Sequence, residues 1–304
     1  MKKRLAPILA LLLAFSLCAC AAPAPAPTET PAAVAPEANA VPGMEGTLQE
    51  YAREHGGLPE EVSEAAGTRE PFIPEGLNKV VIGADNRVTV LNTRDYPYCA
   101  IGLMRVHASC GCSWQGSGFM VGPSGFVTAA HCLCCSEHRS FADRLEIYFG
   151  YESDSNYYYK FDKACTFWVG TTFEGGYTNE NAEWDYGYIK LSERVGDYTG
   201  TFGSVNLGDE ALSGAYLEAA GYRDGLLKYD FGLASVDSSQ VISFDADTQP
   251  GNSGGPLFFA AGEYANYAVA INIAESAAAR KNYARRLTYS VLQGMIDQGV
   301  IELP

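Results

Sequence analysis

The chain has 304 residues, of which 47% are hydrophobic, enough to form a sizeable core in one or two domains. Its formal net charge of -15 argues against nucleic acids and anionic membrane surfaces as partners, because both repel an acidic protein. Glycine and tyrosine are frequent, with 32 and 19 residues, and long helical periodicity is scarce, which favours an all-β protein rich in turns.

The first 20 residues have the pattern of an export signal. Three basic residues precede the apolar run 5–17, which is too short to span a bilayer comfortably. The run ends in LCAC, which resembles a bacterial lipoprotein cleavage site with Cys20 as the lipidated residue, although Cys18 stands where Ser, Ala or Thr is usual. We therefore expect residues 1–20 to be a lipoprotein-type signal peptide. The alternative is an ordinary signal peptide that is removed together with its cysteines.

Two further segments precede the folded part of the chain. Residues 21–45 form an Ala/Pro-rich tether that cannot pack a core, and residues 46–79 have only weak helical character, interrupted by a Gly-Gly break and two prolines. From Val80 onward about a dozen short β-rich runs are separated by turns, as in a sandwich or in barrels. The last element, TYSVLQGMIDQG at 288–299, is predicted to be a helix that ends at Gly299. Its apolar face is expected to carry Val291, Leu292, Met295 and Ile296.

The segment DADTQPGNSGGPLFF at 245–259 presents a serine, Ser253, between glycines. It fits the G-x-S-x-G elbow of α/β-hydrolases, but a serine nucleophile needs a histidine base oriented by a carboxylate. All four histidines precede Ser253, whereas in α/β-hydrolases the histidine follows the serine. The subtilisin order would require an aspartate in a matching motif ahead of His131, and none is evident. The chain order that remains is His, Asp, Ser.

Three motifs fit that order. His131 is the last residue but one of GFVTAAHC, a predicted strand followed by small residues. Asp185 lies in EWDYGYIKL, just before an apolar strand, and Ser253 lies in PGNSGGP. These motifs resemble the signatures of chymotrypsin-like serine proteases, and VVIGADNRVTVLNTRDYPYCAI at the start of the β-rich region is closest to the bacterial glutamyl endopeptidase branch. The resemblance covers residues 80–304. It implies two six-stranded antiparallel β-barrels with a C-terminal helix, barrel one at about 80–195 and barrel two at about 196–304.

The resemblance also assigns roles to individual residues. It implies that Ser253 attacks the scissile carbonyl, that His131 relays the proton, and that Asp185 fixes the imidazole tautomer. The backbone N–H groups of Gly251 and Ser253 are implied to form the oxyanion hole. A glycine at 251 is physically reasonable, because a side chain would hinder the backbone conformation that the hole requires.

Asn252 indicates a departure from trypsin-type activation. In those zymogens an aspartate precedes the serine and pairs with the new N-terminal ammonium, and neutral Asn252 cannot form that ion pair. Asparagine at this place is familiar in the glutamyl endopeptidase branch, whose mature N terminus lies at a site matching Lys79-Val80. The resemblance therefore implies that residues 46–79 are a propeptide cleaved between Lys79 and Val80. The alternative is that 46–79 is an unprocessed linker.

Substrate preference stays open at the sequence level. Glutamate-specific relatives bind the acidic side chain through a histidine and hydroxyl groups, but the histidine position falls at about Asn272, and Thr248 is the remaining hydroxyl candidate. Asp247 lies six residues before Ser253, where trypsin-like enzymes place the acid that binds Lys or Arg. Some glutamyl endopeptidase relatives carry the same Asp-Thr pair with the aspartate turned away from the pocket. Basic, acidic and other preferences all remain possible.

Seven cysteines follow the signal region, and five of them cluster near His131 in CGC at 110–112 and HCLCC at 131–135. Export places them where disulfides persist, and an odd number leaves at least one outside an intrachain disulfide. In relatives the cysteine after the histidine pairs with one on the preceding strand. That position is Gly116 here, so Cys132 is expected to reach Cys112 or Cys110. A tetrahedral thiolate metal site is the alternative, although the spacing departs from the usual C-x-x-C pairs of zinc sites.

We therefore expect an exported serine endopeptidase, either a bacterial cell-envelope lipoprotein or a secreted enzyme after processing. It is expected to act on proteins or peptides without a cofactor or metal, as a monomer, and to contact membranes only through its N-terminal lipid. The rival hypotheses are a catalytically inactive binding protein on the same scaffold and an enzyme specific for glutamate rather than basic residues.

Overall fold

The structure is a computed structural model that describes residues 85–170, 179–276 and 280–302. The signal peptide, tether and propeptide predicted within residues 1–79 lie outside the described residues, as do Cys20, Lys79 and Val80. Within the described part of the chain, no helix is long and apolar enough to cross a membrane.

The first sheet is built from the N-terminal half of the described chain. Its strands run in the spatial order β5-β6-β2-β3-β4-β9-β8, with β7 beside β6. Their bounds are β2 Ile101–Ala108, β3 Ser113–Gly122, β4 Gly125–Thr128, β5 Cys134–Cys135, β6 Ser140–Phe149, β7 Tyr159–Phe161, β8 Cys165–Val169 and β9 Gly187–Leu191. Every pairing in this sheet is antiparallel, and the sheet curls into a half-barrel.

The second sheet closes on itself. The order β1-β12-β11-β14-β15-β16-β13 returns from β13 to β12, so that six strands form a barrel, with β10 beside β15. The bounds are β1 Val88–Thr89, β10 Gly203–Ser204, β11 Tyr216–Arg223, β12 Leu226–Val236, β13 Val241–Phe244, β14 Pro256–Phe258, β15 Tyr267–Ser276 and β16 Lys281–Arg286. Closure pairs the backbone groups that an open sheet would leave at its edges.

The predicted all-β, chymotrypsin-like fold class is confirmed, although one of the two expected barrels is a curled half-barrel and the start of the chain pairs differently. The chain is mostly β, with a closed six-stranded barrel, a second curled half-barrel and few helices. β1, which falls in the range expected for barrel one, pairs instead with β12 of the closed barrel, Val88 opposite Tyr229. The segment that follows the predicted cleavage site is therefore bound to the barrel that carries Ser253.

Three α-helices are present in the described chain: α1 Gly196–Thr199, α2 Asp209–Leu212 and α3 Tyr289–Asp297. In α3 Val291, Leu292 and Met295 are buried and Ile296 is half-buried, as the apolar pattern predicts. The helix stops before Gly299, whose φ of 65° lies in the left-handed region that favours glycine.

The hydrophobic core joins the two sheets. Phe119 and Phe126 of the half-barrel are fully buried in one cluster that also contains Tyr222, Phe258 and Ile271 of the closed barrel. Burial of such side chains contributes about 1.5–3 kcal/mol each, so contacts between the sheets hold them in one relative position. That position decides the geometry of any site whose residues come from both sheets.

Candidate active site

His131 lies in a 3-10 turn, Ala130–Cys132, directly after β4. Ala129 and Ala130 are fully buried, and only small residues fit between the strand and the turn. The Trp114 indole N–H donates to the Cys132 carbonyl at 3.0 Å and holds the turn from the neighbouring strand. The His131 side chain stays 26% exposed, enough to reach a substrate.

Asp185 precedes β9 and is completely buried. Its Oδ1 accepts the backbone N–H of His131 at 2.9 Å, and its Oδ2 lies 2.7 Å from His131 Nδ1. Both carboxylate oxygens therefore act on one residue. This arrangement places the proton on Nδ1 and leaves Nε2 as the basic ring nitrogen.

The electrostatic surroundings of His131 favour its charged form. Burial of the ring lowers the pKa, but the Asp185 carboxylate and then the Cys132 sulfur outweigh it, and the net result is a pKa well above 6.5. A base with a raised pKa accepts a proton from a weak acid such as a serine hydroxyl more readily.

Ser253 lies in the loop before β14, next to the His131 turn. Its carbonyl accepts the N–H of Ser117 at 2.8 Å and the Cys132 thiol at 3.5 Å. These contacts tie the serine loop of the closed barrel to β3 and to the residue after His131. The structure thus places the Ser253 backbone beside the residue that follows His131, and His131 itself binds Asp185.

The same loop presents backbone N–H groups. Among the described residues, neither Gly251 nor Ser253 donates its N–H to a backbone carbonyl. Gly251 has a φ of 101°, and a Cβ there would lie 2.8 Å from the Tyr222 carbonyl oxygen. Only glycine fits both constraints without strain. Two unengaged N–H groups in one tight turn have the character of an oxyanion hole.

Ser117 was not identified from the sequence, although it positions the loop. It is fully buried; its hydroxyl accepts the N–H of Tyr222 at 2.8 Å and donates to the Gly251 carbonyl at 2.7 Å. Its only sequence signal is a small residue flanked by glycines in QGSGF. These bonds join β3 of one sheet to β11 and to the Gly251 loop of the other.

Comparison with known proteins places this geometry in a family. Residues 116–265 match the model of the trypsin-like peptidase domain. The chain is 31% identical to the glutamyl endopeptidase of Bacillus licheniformis over 202 residues, 65% of this chain and 60% of that protein. Residues 116–265 are a trypsin-like peptidase domain. The match therefore spans about 60% of the length of that relative.

Other relatives agree with the peptidase fold. A Bacillus subtilis protein named extracellular metalloprotease is 24% identical over 227 residues, 71% of this chain and 68% of that protein. A solved Glu endopeptidase in complex with MPD superposes with a TM-score of 0.62 at 20% identity, covering 73% of this chain and 99% of the other. The structure named HL collagenase superposes with a TM-score of 0.57 at 15% identity, covering 72% of this chain and 100% of the other. These two structural matches show the fold.

Asn252 of the peptidase is buried and bonded to the N-terminal segment. Its Oδ1 accepts the N–H of Gln249 at 2.8 Å and Arg87 Nη1 at 3.1 Å. The Arg87 guanidinium also donates to both oxygens of Asp85, and its hydrogen bond holds the pKa of that carboxyl at about 2. Arg87 was missed at the sequence level, because nothing nearby in sequence marks it as a partner of the serine loop.

Two of the predicted pocket residues, Asp247 and Thr248, are each 2% exposed. Asp247 Oδ2 accepts the N–H of Asn86 at 2.8 Å, so this oxygen faces the N-terminal segment. The Thr248 hydroxyl donates to Glu275 Oε1 at 3.2 Å. Glu275 is half-buried and was not considered from the sequence.

Asn272, the third predicted pocket residue, is 4% exposed and lies on β15 beside the serine loop. Its carbonyl accepts the N–H of Gly254 at 2.8 Å, and its own N–H donates to Gly255 at 2.9 Å. Its side-chain Oδ1 is buried without a hydrogen-bond partner among the described residues. A buried amide oxygen of this kind is suited to a donor on a bound substrate.

The cysteines do not form the expected disulfides. Cys132 bonds to Ser253 and is not paired with Cys110 or Cys112, and all seven described cysteines are free thiols. Gly116 does face Cys132, since a Cβ at this glycine would lie 2.9 Å from the sulfur. Gly116 thus lies beside Cys132, at the position that the family resemblance implies for a partner cysteine, but it has no thiol.

Proposed function

We propose that the chain is an exported serine endopeptidase that uses Ser253, His131 and Asp185 as its triad. The observation that carries the proposal is the buried Asp185 carboxylate, both of whose oxygens bind His131. Burial of a carboxylate is costly unless it is paired, and here both oxygens hold one imidazole in one orientation and tautomer, as a triad requires. The named relatives, a glutamyl endopeptidase and an extracellular protease of Bacillus, agree with peptide hydrolysis outside the cell.

The chemistry follows from this geometry. Ser253 Oγ attacks the scissile carbonyl carbon while His131 Nε2 takes the hydroxyl proton, and the N–H groups of Gly251 and Ser253 bind the oxyanion. The tetrahedral intermediate then expels the amine, which receives the proton from His131, and leaves an acyl-enzyme on Ser253. Water hydrolyses the ester by the same route. No step requires a cofactor.

The N-terminal segments fit an enzyme that works outside the cytoplasm. We infer that residues 1–20 direct export, that Cys20 receives a lipid, and that cleavage between Lys79 and Val80 releases the catalytic part from its tether. The chain would then be a cell-envelope lipoprotein before processing and a secreted monomer afterwards. Its substrates are proteins or peptides.

For specificity we infer a preference for a basic side chain before the scissile bond. Asn272 replaces the histidine that glutamate-specific relatives use, and Thr248 donates its hydroxyl to Glu275 and so places a carboxylate beside the predicted pocket. A carboxylate there attracts a cation and repels a glutamate side chain. Asp247 instead supports the N-terminal segment through Asn86.

Peptides that differ only in Arg, Leu or Glu before the scissile bond test this preference. The Arg peptide is expected to have the highest kcat/KM, and Glu275→Gln is expected to reduce the Arg-to-Glu ratio at least about tenfold. Glu210→Gln, the same change on the exposed side of α2, serves as the control. A preference for Glu in the wild-type enzyme would contradict the specificity while leaving the triad intact.

The triad itself is tested at Ser253. Ser253→Ala is expected to keep the fold and to lower turnover by ~10⁴-fold or more, while Ser155→Ala in an exposed loop is expected to change nothing. A fluorophosphonate should label the processed wild-type enzyme at Ser253 and leave Ser253→Ala unlabelled. Near-normal turnover in Ser253→Ala would end the proposal, and an unreactive wild-type chain would favour the binding-protein rival.

A further inference from the structure

Two neighbouring turns of the half-barrel bring together a group of metal-ligand side chains. One turn joins β2 to β3, and the other joins β5 to β6. Their ligand atoms all lie within 4.8 Å of one another. This thiol–imidazole cluster consists of Cys110, Cys112, Cys135 and His138. It contains none of the triad residues.

The backbone explains why the two turns meet. β2 and β6 are antiparallel neighbours, with Ala108 opposite Ala142, so the turn after β2 lies beside the start of β6. Cys135 pairs with Ser140 at the base of the second turn. The hydroxyls of Ser109 and Ser140 lie 2.8 Å apart and connect the turns. The cluster is thus held by sheet register and not by a chance approach of loose chains.

The first turn is fixed at both ends. Ala108 donates its N–H to the Cys112 carbonyl at 2.9 Å, and Gly111 donates to the Ala108 carbonyl at 2.8 Å. Gly111 has a φ of 87°, which lets the chain reverse between the two cysteines and point both thiols to one side. A Cys-x-Cys pair on such a turn supplies two thiolates to one point.

The distances within the cluster fit tetrahedral coordination. Cys112 Sγ lies 3.3 Å and Cys135 Sγ lies 3.5 Å from His138 Nδ1. Zn–S and Zn–N bonds of about 2.3 and 2.0 Å at tetrahedral angles require S···N separations of about 3.5 Å. A disulfide would join only two of the three sulfurs, at about 2.05 Å, and would leave one thiol and the imidazole without a role.

We propose that the thiol–imidazole cluster binds one structural zinc ion. Three thiolates and one imidazole form a complete tetrahedral ligand set of the Cys₃His type, and the soft sulfur ligands favour zinc over magnesium or calcium. Because the protein supplies all four ligands, no open position remains for a substrate or water. The ion therefore has a structural role and takes no part in peptide hydrolysis.

The proposed zinc site lies close to the His131 turn. Cys135 follows His131 by four residues, and β5, which connects them to the sheet, is only two residues long. Zinc would fasten this short segment to the β2–β3 turn and so limit the motion of the His131 turn. The ion would perform the stabilising work that a disulfide from Cys132 performs in relatives.

Metal analysis of the purified full chain tests the proposal. One zinc ion per chain is expected, and Cys135→Ser and His138→Ala are each expected to retain less than about a fifth of it. Cys165→Ser, a half-buried cysteine outside the cluster, should keep one ion, and so should Ser253→Ala. His138→Cys keeps four ligands and should restore binding, which separates loss of a ligand from misfolding.

Cobalt gives a second readout. Co²⁺ added to the zinc-free chain is expected to produce the visible absorption of tetrahedral thiolate coordination, in the wild type and Cys165→Ser but not in Cys135→Ser. Removal of zinc is expected to lower Tm, because the ion binds only the folded state. Wild-type chain with intact thiols that binds neither zinc nor cobalt would overturn the proposal. So would a disulfide mapped between any two cluster cysteines.

Discussion

At the scale of single residues, the raised pKa of His131 predicts how the activity depends on pH. Its raised pKa means that the imidazole is protonated, and unable to act as a base, at pH values where an ordinary histidine is already neutral. We predict that kcat/KM falls on the acid side with an apparent pKa above 6.5. A profile whose acid limb lies at or below that value would contradict the electrostatic description.

The source of the shift can be tested separately. In the inactive Ser253→Ala background, NMR titration of the His131 ring is expected to give the raised pKa, and adding Asp185→Asn is expected to lower it. His107, which bonds to Ser113 on the surface of β2, serves as an internal reference in the same spectra. Equal His131 values in both variants would show that Asp185 does not control this pKa.

A second prediction concerns Glu218 on β11. Its side chain is 3% exposed and faces Tyr98, which lies just before β2. Burial raises its pKa to about 7, although the Tyr98 hydroxyl, 2.9 Å away, opposes the shift. Because the folded-state pKa exceeds the unfolded value, stability is complete below about pH 4.5 and is lost as pH rises through about 7. The full loss amounts to about 3 kcal/mol.

Glu218→Gln removes this titration while keeping the Tyr98 contact. Its Tm is therefore expected to exceed that of the wild type at pH 8 and to match it at about pH 4. Glu210→Gln, on the exposed face of α2, is the control, and its Tm is expected to equal that of the wild type at both pH values. A variant that is no more stable than the wild type at pH 8 would show that Glu218 does not carry the penalty.

At the residue scale the sequence carries local signals and lacks signals for contacts between distant segments. The order His, Asp, Ser and the glycines around Ser253 predict the triad, and in the structure Asp185 binds His131 while the Ser253 carbonyl contacts the Cys132 thiol. Ser117 acts through Tyr222, 105 positions away, and no periodicity or motif connects them. Their partnership follows from the packing of two sheets, which a single sequence does not encode locally.

At the scale of elements, the His131 turn lies against β3. A Cβ at Gly116 would lie 3.4 Å from the Cys132 Cβ, close to the roughly 3.5–4.5 Å of disulfides. We predict that Gly116→Cys forms a disulfide with Cys132 and raises the free energy of unfolding by about 3 kcal/mol, as expected for a loop of roughly 16 residues.

Peptide mapping and thermal unfolding with and without reductant test the engineered bridge. Gly116→Ser, similar in size but unable to cross-link, is the matched control and should gain nothing from oxidation. Mapping of Cys132 to any other cysteine, or equal stability in the two redox states, would count against the geometry of this turn.

Elements were predictable in proportion to their length. The C-terminal helix shows three buried apolar positions at helical spacing and a stop at glycine, and the long strands alternate or form apolar runs. β1 and β5 have two residues each, too few to show any periodicity. Their partners are fixed by neighbouring sheets, so their pairing emerges only in the folded structure.

At the scale of the whole molecule, the N-terminal segment is attached to the serine loop. Asn86 donates its N–H to Asp247, Arg87 donates to Asn252, and β1 pairs with β12 of the closed barrel. A change in how this segment docks must therefore reach the loop that carries Ser253. The N-terminal segment and the serine loop are thus physically connected, even though Asn252 cannot form the ion pair of trypsin-type zymogens.

The last prediction is that cleavage between Lys79 and Val80 activates the enzyme. The new terminus would lie five residues before Asp85, which Arg87 binds in the segment docked on Asn252. We predict that residues 46–79, while attached, lower the fraction of molecules in which the serine loop is catalytically competent. Lys79→Ala is expected to stay tethered and to lose about tenfold or more in kcat/KM, whereas Arg69→Ala matures normally.

N-terminal sequencing and activity, measured on cell-bound and released fractions, distinguish the outcomes. The released wild-type enzyme should begin at Val80, and Cys20→Ser should release unprocessed chain without raising kcat/KM, because loss of the anchor leaves the propeptide in place. Treatment of Lys79→Ala with a protease of another specificity that cuts near Val80 should restore part of the activity. Full activity in uncleaved Lys79→Ala would mean that the segment 46–79 is a passive linker.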